Sequence, residues 1–407
     1  MHRLRVASLA LLGACLLPAM ALAAVPSAAA AGRNLLANPG FEEGLESHPW
    51  MPAAWDTFAS SLTTVFFGRD TAVARTGRHS VSVASISGRL PMWHNWSQSL
   101  VVGPETWNQD VVFTVWTRSM SLQGRGYLLV QAFNDTIGKT AILADVPRDT
   151  AMIRMNYVVT GQPIVLTGWK RLYFSEEETD WVRREARIFV PAGTNLISVR
   201  AGILGTGQLS LDDASLTLAP ATPPAPVATG RNLMRDPGFE GDGNEWELSM
   251  APFEDLRMER DTSVARSGRA SMHVVASPRG AIQVRTGIGQ TLDGRGLGGK
   301  RIRLNAWVKT DSLTGLAYPG LYCSTIDGDV LGTPPEQHGG TFDWKRFTLE
   351  RDVPPGCLIV GAYIQFNSPA TGHLWIDDVS LEVVGPAEYV TKKLPAPKAA
   401  PLPVPLR

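Results

Sequence analysis

The sequence has few cysteines, no excess of either charge and few runs that would form long helices. Lysine plus arginine equals aspartate plus glutamate at 38 each. No global field therefore favours nucleic acid, an anionic membrane surface or an acidic polymer as partner. By contrast, 39 glycines and 29 prolines separate short segments rich in valine, leucine, tryptophan and threonine. This composition is typical of an all-β protein.

The chain also lacks the short motifs that mark common catalytic sites. It contains no GxSxG elbow, no HExxH helix, no phosphate-binding loop and no EIDIxE-like acidic strand. The seven histidines show no metal-ligand spacing. These absences favour a protein that is not an enzyme. A hydrolase or lyase formed directly in a β-sandwich is the less favoured alternative.

Residues 1–31 have the pattern of an export signal. They begin with a basic start, continue with an apolar stretch interrupted by Pro18, and end in small residues. A membrane anchor is one alternative, and a loose match to a bacterial lipoprotein signal at Cys15 is another. No other segment approaches the roughly 20 apolar residues of a membrane helix. We therefore expect a secreted, periplasmic or cell-surface protein whose mature chain has no transmembrane segment.

Two cysteines remain after removal of the predicted signal peptide. Export would place Cys323 and Cys357 in an oxidising compartment, where a disulfide can form. Two buried free thiols are the other interpretation, because the sequence does not fix the distance between these residues.

The chain contains one pattern twice. NLLANPGFEEG from Asn34 returns as NLMRDPGFEGD from Asn232, and RDTAVARTGRHSVSVAS returns as RDTSVARSGRASMHVVAS. FTVWTRS, GWKRLYF and LSLDDASLTL correspond in the same order to LNAWVKT, DWKRFTL and LWIDDVSLEV. Five blocks in one order indicate a duplication. Together with period-two alternation and no long amphipathic helix, they predict two tandem β-sandwich, or jelly-roll, domains.

Proline-rich segments delimit these two copies. Such segments favour extended conformations and do not form a packed core. The predicted organisation is a signal peptide at 1–31, a first module at 32–218, a Pro-rich linker at 219–229, a second module at 230–384 and a disordered Pro/Ala-rich tail at 385–407.

The five blocks resemble the CenC-like carbohydrate-binding modules of families four and nine, over nearly all of both copies. This resemblance implies a galactose-binding-like jelly roll with a structural Ca²⁺ beside its first and last strands, one ion per module. Carboxylates suit this hard cation. The alternative is that these acids are turn and edge-strand residues without a metal. The implied ligands are Glu42 and Asp212 in the first module and Glu240 and Asp377 in the second, with Asp213 and Asp378 competing for the role and Asp70 and Asp261 as possible additions.

Aromatic side chains are the candidates for sugar contact, because flat rings cover the C–H faces of pyranoses. Three pairs recur between the copies: Trp50 with Trp246, Trp116 with Trp307, and Trp169 with Trp344. We interpret the first and third pairs as structural. Aromatic stripes belong to a core more often than to a ligand surface, so each candidate has that alternative. The candidate carbohydrate-binding residues are Trp55, Trp93, Trp96, Trp116, Trp307, Tyr363 and Gln365.

These features predict an exported, non-catalytic protein that binds a polysaccharide or oligosaccharide through aromatic platforms on two modules. Two weak sites on a semi-rigid spacer would act by avidity on one polymer. The alternative is a structural protein of the cell surface or matrix whose modules contact other proteins, since sandwiches of this type serve many purposes.

Overall fold

A computed structural model of the chain describes residues 32–59, 64–87, 93–135, 164–175, 178–249, 255–277, 285–326, 328–332, 337–367 and 371–388. The predicted signal peptide and most of the predicted tail lie outside the described residues. Within these ranges the regular structure consists of strands and one short 3-10 turn at Pro104–Thr106. No helix in the described ranges has the length and hydrophobicity needed to cross a membrane.

The first eight strands form one sandwich, in the part of the chain predicted to be the first module. They are β1 (Asp56–Phe58), β2 (Thr64–Asp70), β3 (Ser80–Ser87), β4 (Trp93–Val101), β5 (Gln109–Asp135), β6 (Ile164–Phe174), β7 (Val182–Val190) and β8 (Leu196–Pro220).

β5 and β8 are long antiparallel partners that contribute to two sheets. The first half of β8 also pairs with β4 and the second half with β3. β5 pairs first with β7 and then with β6. Sheet A therefore has the order β1-β4-β8-β5-β6, and sheet B the order β2-β3-β8-β5-β7. Both sheets are antiparallel and share one apolar core, so the predicted β-sandwich is confirmed.

The remaining strands repeat this arrangement. They are β9 (Glu247–Ser249), β10 (Asp255–Asp261), β11 (Ser271–Ser277), β12 (Arg285–Asp293), β13 (Lys300–Thr325), β14 (Gly328–Gly332), β15 (His338–Asp352), β16 (Ile359–Asn367) and β17 (Gly372–Pro386). Sheet C has the order β9-β12-β16-β13-β14, and sheet D the order β10-β11-β17-β13-β15. β16 and β17 together take the place of β8.

Glycine is required where β5 and β8 pass from one sheet to the other. Gly124 and Gly205 have φ of +121° and +124° and face each other in the ladder. A Cβ on Gly124 would lie 2.2 Å from the carbonyl oxygen of Leu204, and one on Gly205 would lie 2.3 Å from that of Gln123. Any other side chain would therefore push the two backbones apart at this bend.

The strand register corrects one of the five sequence correspondences. Trp169 lies on β6 opposite Gln131, whereas Trp344 lies on β15 next to Lys345, which faces Val308. β15 pairs with the first half of β13 as β7 pairs with the first half of β5, so β15 corresponds to β7 and β14 to β6. The shared Trp-Lys-Arg tripeptide thus lies on unlike strands, and the predicted pairing of Trp169 with Trp344 is wrong.

Both cysteines lie in the core of the second sandwich. Cys323 and Cys357 are free thiols and are buried. The Cys357 thiol donates a hydrogen bond to the carbonyl oxygen of Ile359 at 3.2 Å. The second interpretation offered by the sequence, two buried thiols, describes this state of the chain.

His94 makes the free energy of unfolding of the first sandwich depend on pH. Its side chain is fully buried on β4, and burial lowers the pKa of His94 from 6.5 to about 4. Between these values the unfolded chain binds a proton that the folded chain does not. The free energy of unfolding is therefore expected to fall as the pH falls from 6.5 towards 4, with a contribution of up to about 1.4 kcal/mol per pH unit.

Urea unfolding at pH 7 and pH 5 checks this expectation. His94→Gln should remove this part of the pH dependence, whereas His48→Gln, on an exposed loop, should leave it. Burial raises the pKa of Asp212 and Asp377, which opposes the effect in acid, but those groups are present in every variant. An unchanged pH slope in His94→Gln would contradict the assignment.

Candidate functional site

Two of the repeated acids of the first module, Asp212 and Glu42, bind the two ends of one loop. Asp212 Oδ2 accepts hydrogen bonds from the backbone N–H of Arg75 at 2.7 Å and of Thr76 at 3.2 Å. Glu42 Oε1 accepts from the backbone N–H of Arg78 at 2.8 Å and of His79 at 3.1 Å. The ARTGR segment, which returns as ARSGR in the second module, is therefore a loop held by two carboxylates, and Gly77 at its tip has φ of +64°.

The second module has the same contacts. Asp377 Oδ2 accepts from the N–H of Arg266 at 2.8 Å and of Ser267 at 3.1 Å. Glu240 Oε1 accepts from the N–H of Arg269 at 2.7 Å and of Ala270 at 3.3 Å. We call each set of two acids and their loop the acidic clamp.

The arginine of each clamp also covers a tryptophan that the sequence predicted to contact sugar. The Arg75 guanidinium lies 3.7 Å above the Trp116 ring and contacts Asp213. Its counterpart Arg266 lies 3.8 Å above Trp307 and contacts Asp378. One face of each half-buried ring is therefore occupied by the protein itself. These contacts give both tryptophans a structural role in the clamp.

The hydrogen-bond donors around the clamp show whether its oxygen atoms are free to bind a calcium ion. The Glu42 and Asp212 carboxylates face N–H groups. The carbonyl oxygens of the opening turn are occupied too: Arg69 donates to Phe41 O at 3.0 Å and to Glu42 O at 2.7 Å. Arg260 makes the corresponding bonds in the second module. A cation needs free oxygen lone pairs, and here N–H donors use them.

The remaining acids named as possible ligands have roles of the same kind. Asp70 Oδ1 accepts from two backbone N–H groups of the following turn, as Asp261 Oδ1 does. Among the described residues, no group of three or more His, Cys, Asp or Glu side chains is placed to hold a metal ion. The predicted ligand set therefore does not fit calcium in this arrangement. A guanidinium group closes the turn instead.

Trp55 is part of the core and not of a sugar-binding platform. It is 2% exposed, packs on Phe41 with ring centroids 4.8 Å apart, and donates to the Asn38 carbonyl oxygen at 3.1 Å. Trp246 makes the same contacts, with Phe239 at 4.4 Å and the Asp236 carbonyl oxygen at 2.9 Å. Trp55 is thus the counterpart of Trp246, and the predicted pairing of Trp50 with Trp246 is wrong.

Trp96, predicted to bind sugar, is also a core residue, whereas Trp50, predicted to be structural, is exposed. Trp96 is fully buried, donates to the Ser82 carbonyl oxygen at 3.1 Å and packs edge-on against Phe67. It cannot offer a ring face to a ligand. Trp50, interpreted from the sequence as structural, is 48% exposed.

The outer face of sheet A, opposite the core, carries a second aromatic layer. Tyr127 and Tyr173 form a buried cluster separate from the main core, with Trp93 packed against it. The Trp93 ring meets Tyr127 edge-on at 4.7 Å and stacks near Tyr173 at 6.1 Å. The Arg171 guanidinium lies 4.5 Å above Trp93 and so occupies one face of this ring too. We call this group, with Asn95, the outer-face cluster.

Two polar atoms of the outer-face cluster are buried without a hydrogen-bond partner. Asn95 Nδ2 donates to the Tyr127 hydroxyl at 2.8 Å, but Asn95 Oδ1 has no partner. Arg171 donates to the Tyr173 hydroxyl at 3.1 Å, but its Nε has no partner. Leaving such groups unpaired costs about 1–3 kcal/mol each. An unpaired acceptor and an unpaired donor beside a half-buried ring are what a sugar hydroxyl could satisfy.

The sequence indicated only part of this cluster. It predicted Trp93 but not Tyr127, Arg171 or Tyr173. The alternation of Trp169, Arg171 and Tyr173 along β6 places all three side chains on one face, and this pattern was the available indication.

The equivalent face of the second module and the β6 side of the outer face of sheet A cover each other. Tyr363 is 5% exposed, and its hydroxyl hydrogen bonds to Thr291 at 2.8 Å. Beside it, Glu247 accepts from the Trp169 indole N–H at 3.3 Å and lies 4.0 Å from Arg171. Ser324 donates to the Leu166 carbonyl oxygen at 2.6 Å.

These contacts change the interpretation of two predicted sugar-binding residues. Tyr363 has no open ring face, because the edge of sheet A lies over this part of sheet C. Gln365 is half-buried on the same face, next to Gly320. Of the seven predicted residues, Trp93 is thus the one that lies in an aromatic cluster with unpaired polar atoms.

Comparisons with known proteins find structures but no sequence family. No family model matches the chain, and no curated protein matches it. The tandem of two family 22 carbohydrate-binding modules from Paenibacillus barcinonensis Xyn10C is 17% identical, covers 88% of this chain and 99% of its own, and has a TM-score of 0.31. TmCBM61 in complex with β-1,4-galactotriose is 18% identical, covers 38% and 99%, and has a TM-score of 0.28.

A family 22 xylan-binding domain is a third structural neighbour, with 16% identity, 40% of this chain and 98% of its own covered, and a TM-score of 0.31. These three structural neighbours are carbohydrate-binding modules, but families four and nine are not confirmed. TM-scores this low carry no argument about function. The sandwich fold of this chain is established by its own strand pairing.

Proposed function

We propose that this chain is an exported, non-catalytic protein that binds a polysaccharide, and that the outer-face cluster of the first module is its binding site. The observation that carries the proposal is the pair of buried, unpaired polar atoms, Asn95 Oδ1 and Arg171 Nε, beside the Trp93 ring.

The chemistry of the cluster suits a sugar. A pyranose presents hydroxyl groups around its rim and C–H groups on its faces. Both polar atoms are enclosed in this structure. When the side chains that cover them move aside, the hydroxyls can donate to Asn95 Oδ1 and accept from Arg171 Nε, while the C–H groups lie against an aromatic ring. Trp169 follows on the same face of β6, where its indole N–H donates to Glu247 of the second module.

The second module supports a different role. Its equivalent face holds Tyr363 and Glu247, and both are buried beside the first module. Arg125 reaches across to the Trp246 carbonyl oxygen at 3.0 Å. We therefore propose a second candidate function for this module alone: it contacts a protein surface, namely that of the first module, and thereby supports the binding site.

Binding of the full-length protein to an array of β-glucans, xylans, mannans and bacterial wall polysaccharides tests the proposal. We expect micromolar to millimolar affinity for at least one polymer, as is reasonable for a site with few contacts. Trp93→Ala and Asn95→Ala should each weaken that affinity at least 10-fold. Trp50→Ala, which removes an exposed ring elsewhere, is the matched control and should bind as the wild type does.

Three outcomes would contradict this proposal. No binding across the array would favour a protein partner. Loss of binding in Trp50→Ala but not in Trp93→Ala would place the site on the exposed loop. Accumulation of reducing ends during incubation would show that the chain is an enzyme.

A further inference from the structure

A cavity of about 450 Å³ lies between the two modules and the linker. One wall comes from β6 and β7, with Trp169 and Phe189. The opposite wall comes from the end of β12 and the start of β16, and residues of the linker near Pro224 close one side. The cavity therefore exists only in the tandem, and its volume is in the range of ordinary small-molecule sites.

Basic side chains outnumber acidic ones on the cavity wall. Arg187 lies 3.5 Å from Asp110, and Arg295 lies 2.7 Å from Asp293. Arg235 is paired with a carboxylate outside the wall, that of Glu245. Each of these arginines is thus neutralised by a partner.

Lys170 is the exception. It is half-buried on the cavity wall, and no hydrogen bond or ion pair to it occurs among the described residues. Burial lowers the pKa of Lys170 and the nearby charge of Arg235 lowers it further, while the carboxylates of Glu245 and Glu247 oppose this shift without pairing directly with the ammonium group. An ammonium group taken out of water without a partner is costly. A negatively charged ligand in the cavity would remove this cost.

A second group on the wall also has an unused hydrogen-bonding atom. Asp110 is 1% exposed; its Oδ2 accepts from the N–H and the hydroxyl of Thr222, at 3.0 Å and 2.6 Å, whereas its Oδ1 is buried without a partner. A carboxylate oxygen can only accept, so its natural partner is a hydroxyl group. The cavity thus offers a cation for an acid group, and the enclosed Asp110 Oδ1 can accept from a ligand hydroxyl when a neighbouring side chain moves aside.

We propose that this cavity binds an acidic sugar, a hexuronate residue, with Lys170 paired to its carboxylate and Asp110 accepting one of its hydroxyl groups. Trp169 offers an aromatic wall to the pyranose ring. The choice of a sugar acid over another small anion rests on the proposed function. The polymer recognised by the chain is then one that carries uronic acid units.

Calorimetric titration of the full-length protein with galacturonate and glucuronate tests the proposal, with galactose, glucose and inorganic phosphate as comparisons. We expect at least one uronate to bind at least 10-fold more tightly than its neutral sugar and than phosphate. Lys170→Met should lose this preference and Lys170→Arg should keep most of it. The matched control is Lys345→Met, an exposed lysine in the same Trp-Lys-Arg sequence.

The outcomes separate this inference from the proposed function. Equal binding of acidic and neutral sugars, equal binding of phosphate, or an unchanged preference in a folded Lys170→Met would each overturn the cavity site. Polysaccharide binding that is lost in Trp93→Ala and kept in Lys170→Met, without any uronate preference, would sustain the proposed function alone. A uronate preference that persists in Trp93→Ala would support the cavity even if the outer-face cluster does not bind.

Discussion

Asp212→Ala is expected to lower the free energy of unfolding of the first module by about 3–5 kcal/mol. The Asp212 side chain is fully buried and accepts hydrogen bonds from the backbone N–H groups of Arg75, Thr76 and Asp213. The substitution leaves these donors without partners and releases the loop that covers Trp116. Urea unfolding followed by tryptophan fluorescence measures the loss.

The duplication supplies the matched variants. Asp377→Ala should destabilise the second module by a similar amount, because its three hydrogen bonds are the same. Glu43→Ala, an exposed carboxylate in the same opening segment, should change the free energy of unfolding by less than about 0.5 kcal/mol. A loss below about 1 kcal/mol in both aspartate variants would falsify the clamp.

Added calcium gives an independent test of the same feature. Since N–H donors use the carboxylate and carbonyl oxygens of the clamp, saturating Ca²⁺ should leave the melting temperature of the wild type unchanged, and a chelator should not lower it. Any ion that binds only the folded chain must raise its free energy of unfolding, by an amount that grows with the logarithm of the ion concentration over the dissociation constant. A rise of several degrees with Ca²⁺ would show that the family-type metal site exists and that our fit argument is wrong.

The acidic clamp shows which part of the candidate site could be predicted from the sequence. The resemblance to the CenC-like modules implied that Glu42 and Asp212 lie close together, and both bind one loop. Their partners could not be predicted, because a carboxylate that binds a cation and one that binds N–H groups have the same sequence pattern. The direction of the backbone in the ARTGR loop decides between them, and that direction depends on Gly77 in its positive-φ conformation.

The aromatic residues show a limit of a different kind. Trp93 and Trp96 are three residues apart on the continuous strand β4, so their side chains point to opposite faces. The sequence alone could therefore exclude that both rings form one platform. It could not tell which face is the core. That distinction comes from the neighbouring strands, where Tyr127 lies beside Trp93 and Phe67 beside Trp96.

The Trp-Lys-Arg correspondence failed because a short motif carries little positional information. Trp169 and Trp344 share neighbours in sequence but lie on β6 and β15, which occupy unlike places in their sheets. Only the register against β5 and β13 shows this. Where the repeat is long, as from Arg69 and from Arg260, sequence and register agree.

Trp55→Ala is expected to destabilise the first module by about 3–5 kcal/mol, the usual loss for a buried aromatic side chain. The substitution removes a ring that is 2% exposed, its packing on Phe41 and its hydrogen bond to Asn38 O. Asn38 has φ of +46°, so the indole N–H also secures a backbone turn that few residues adopt without support.

Trp50→Ala is the control for this loss, because the Trp50 ring lies five residues earlier and is 48% exposed. It should change the free energy of unfolding by about 0.5 kcal/mol or less. Thermal and urea unfolding of the two variants, with Trp246→Ala as the counterpart in the second module, measure the contrast. If Trp50→Ala proves as destabilising as Trp55→Ala, the repeat must be aligned as its sequence first suggested, with Trp50 and not Trp55 as the counterpart of Trp246.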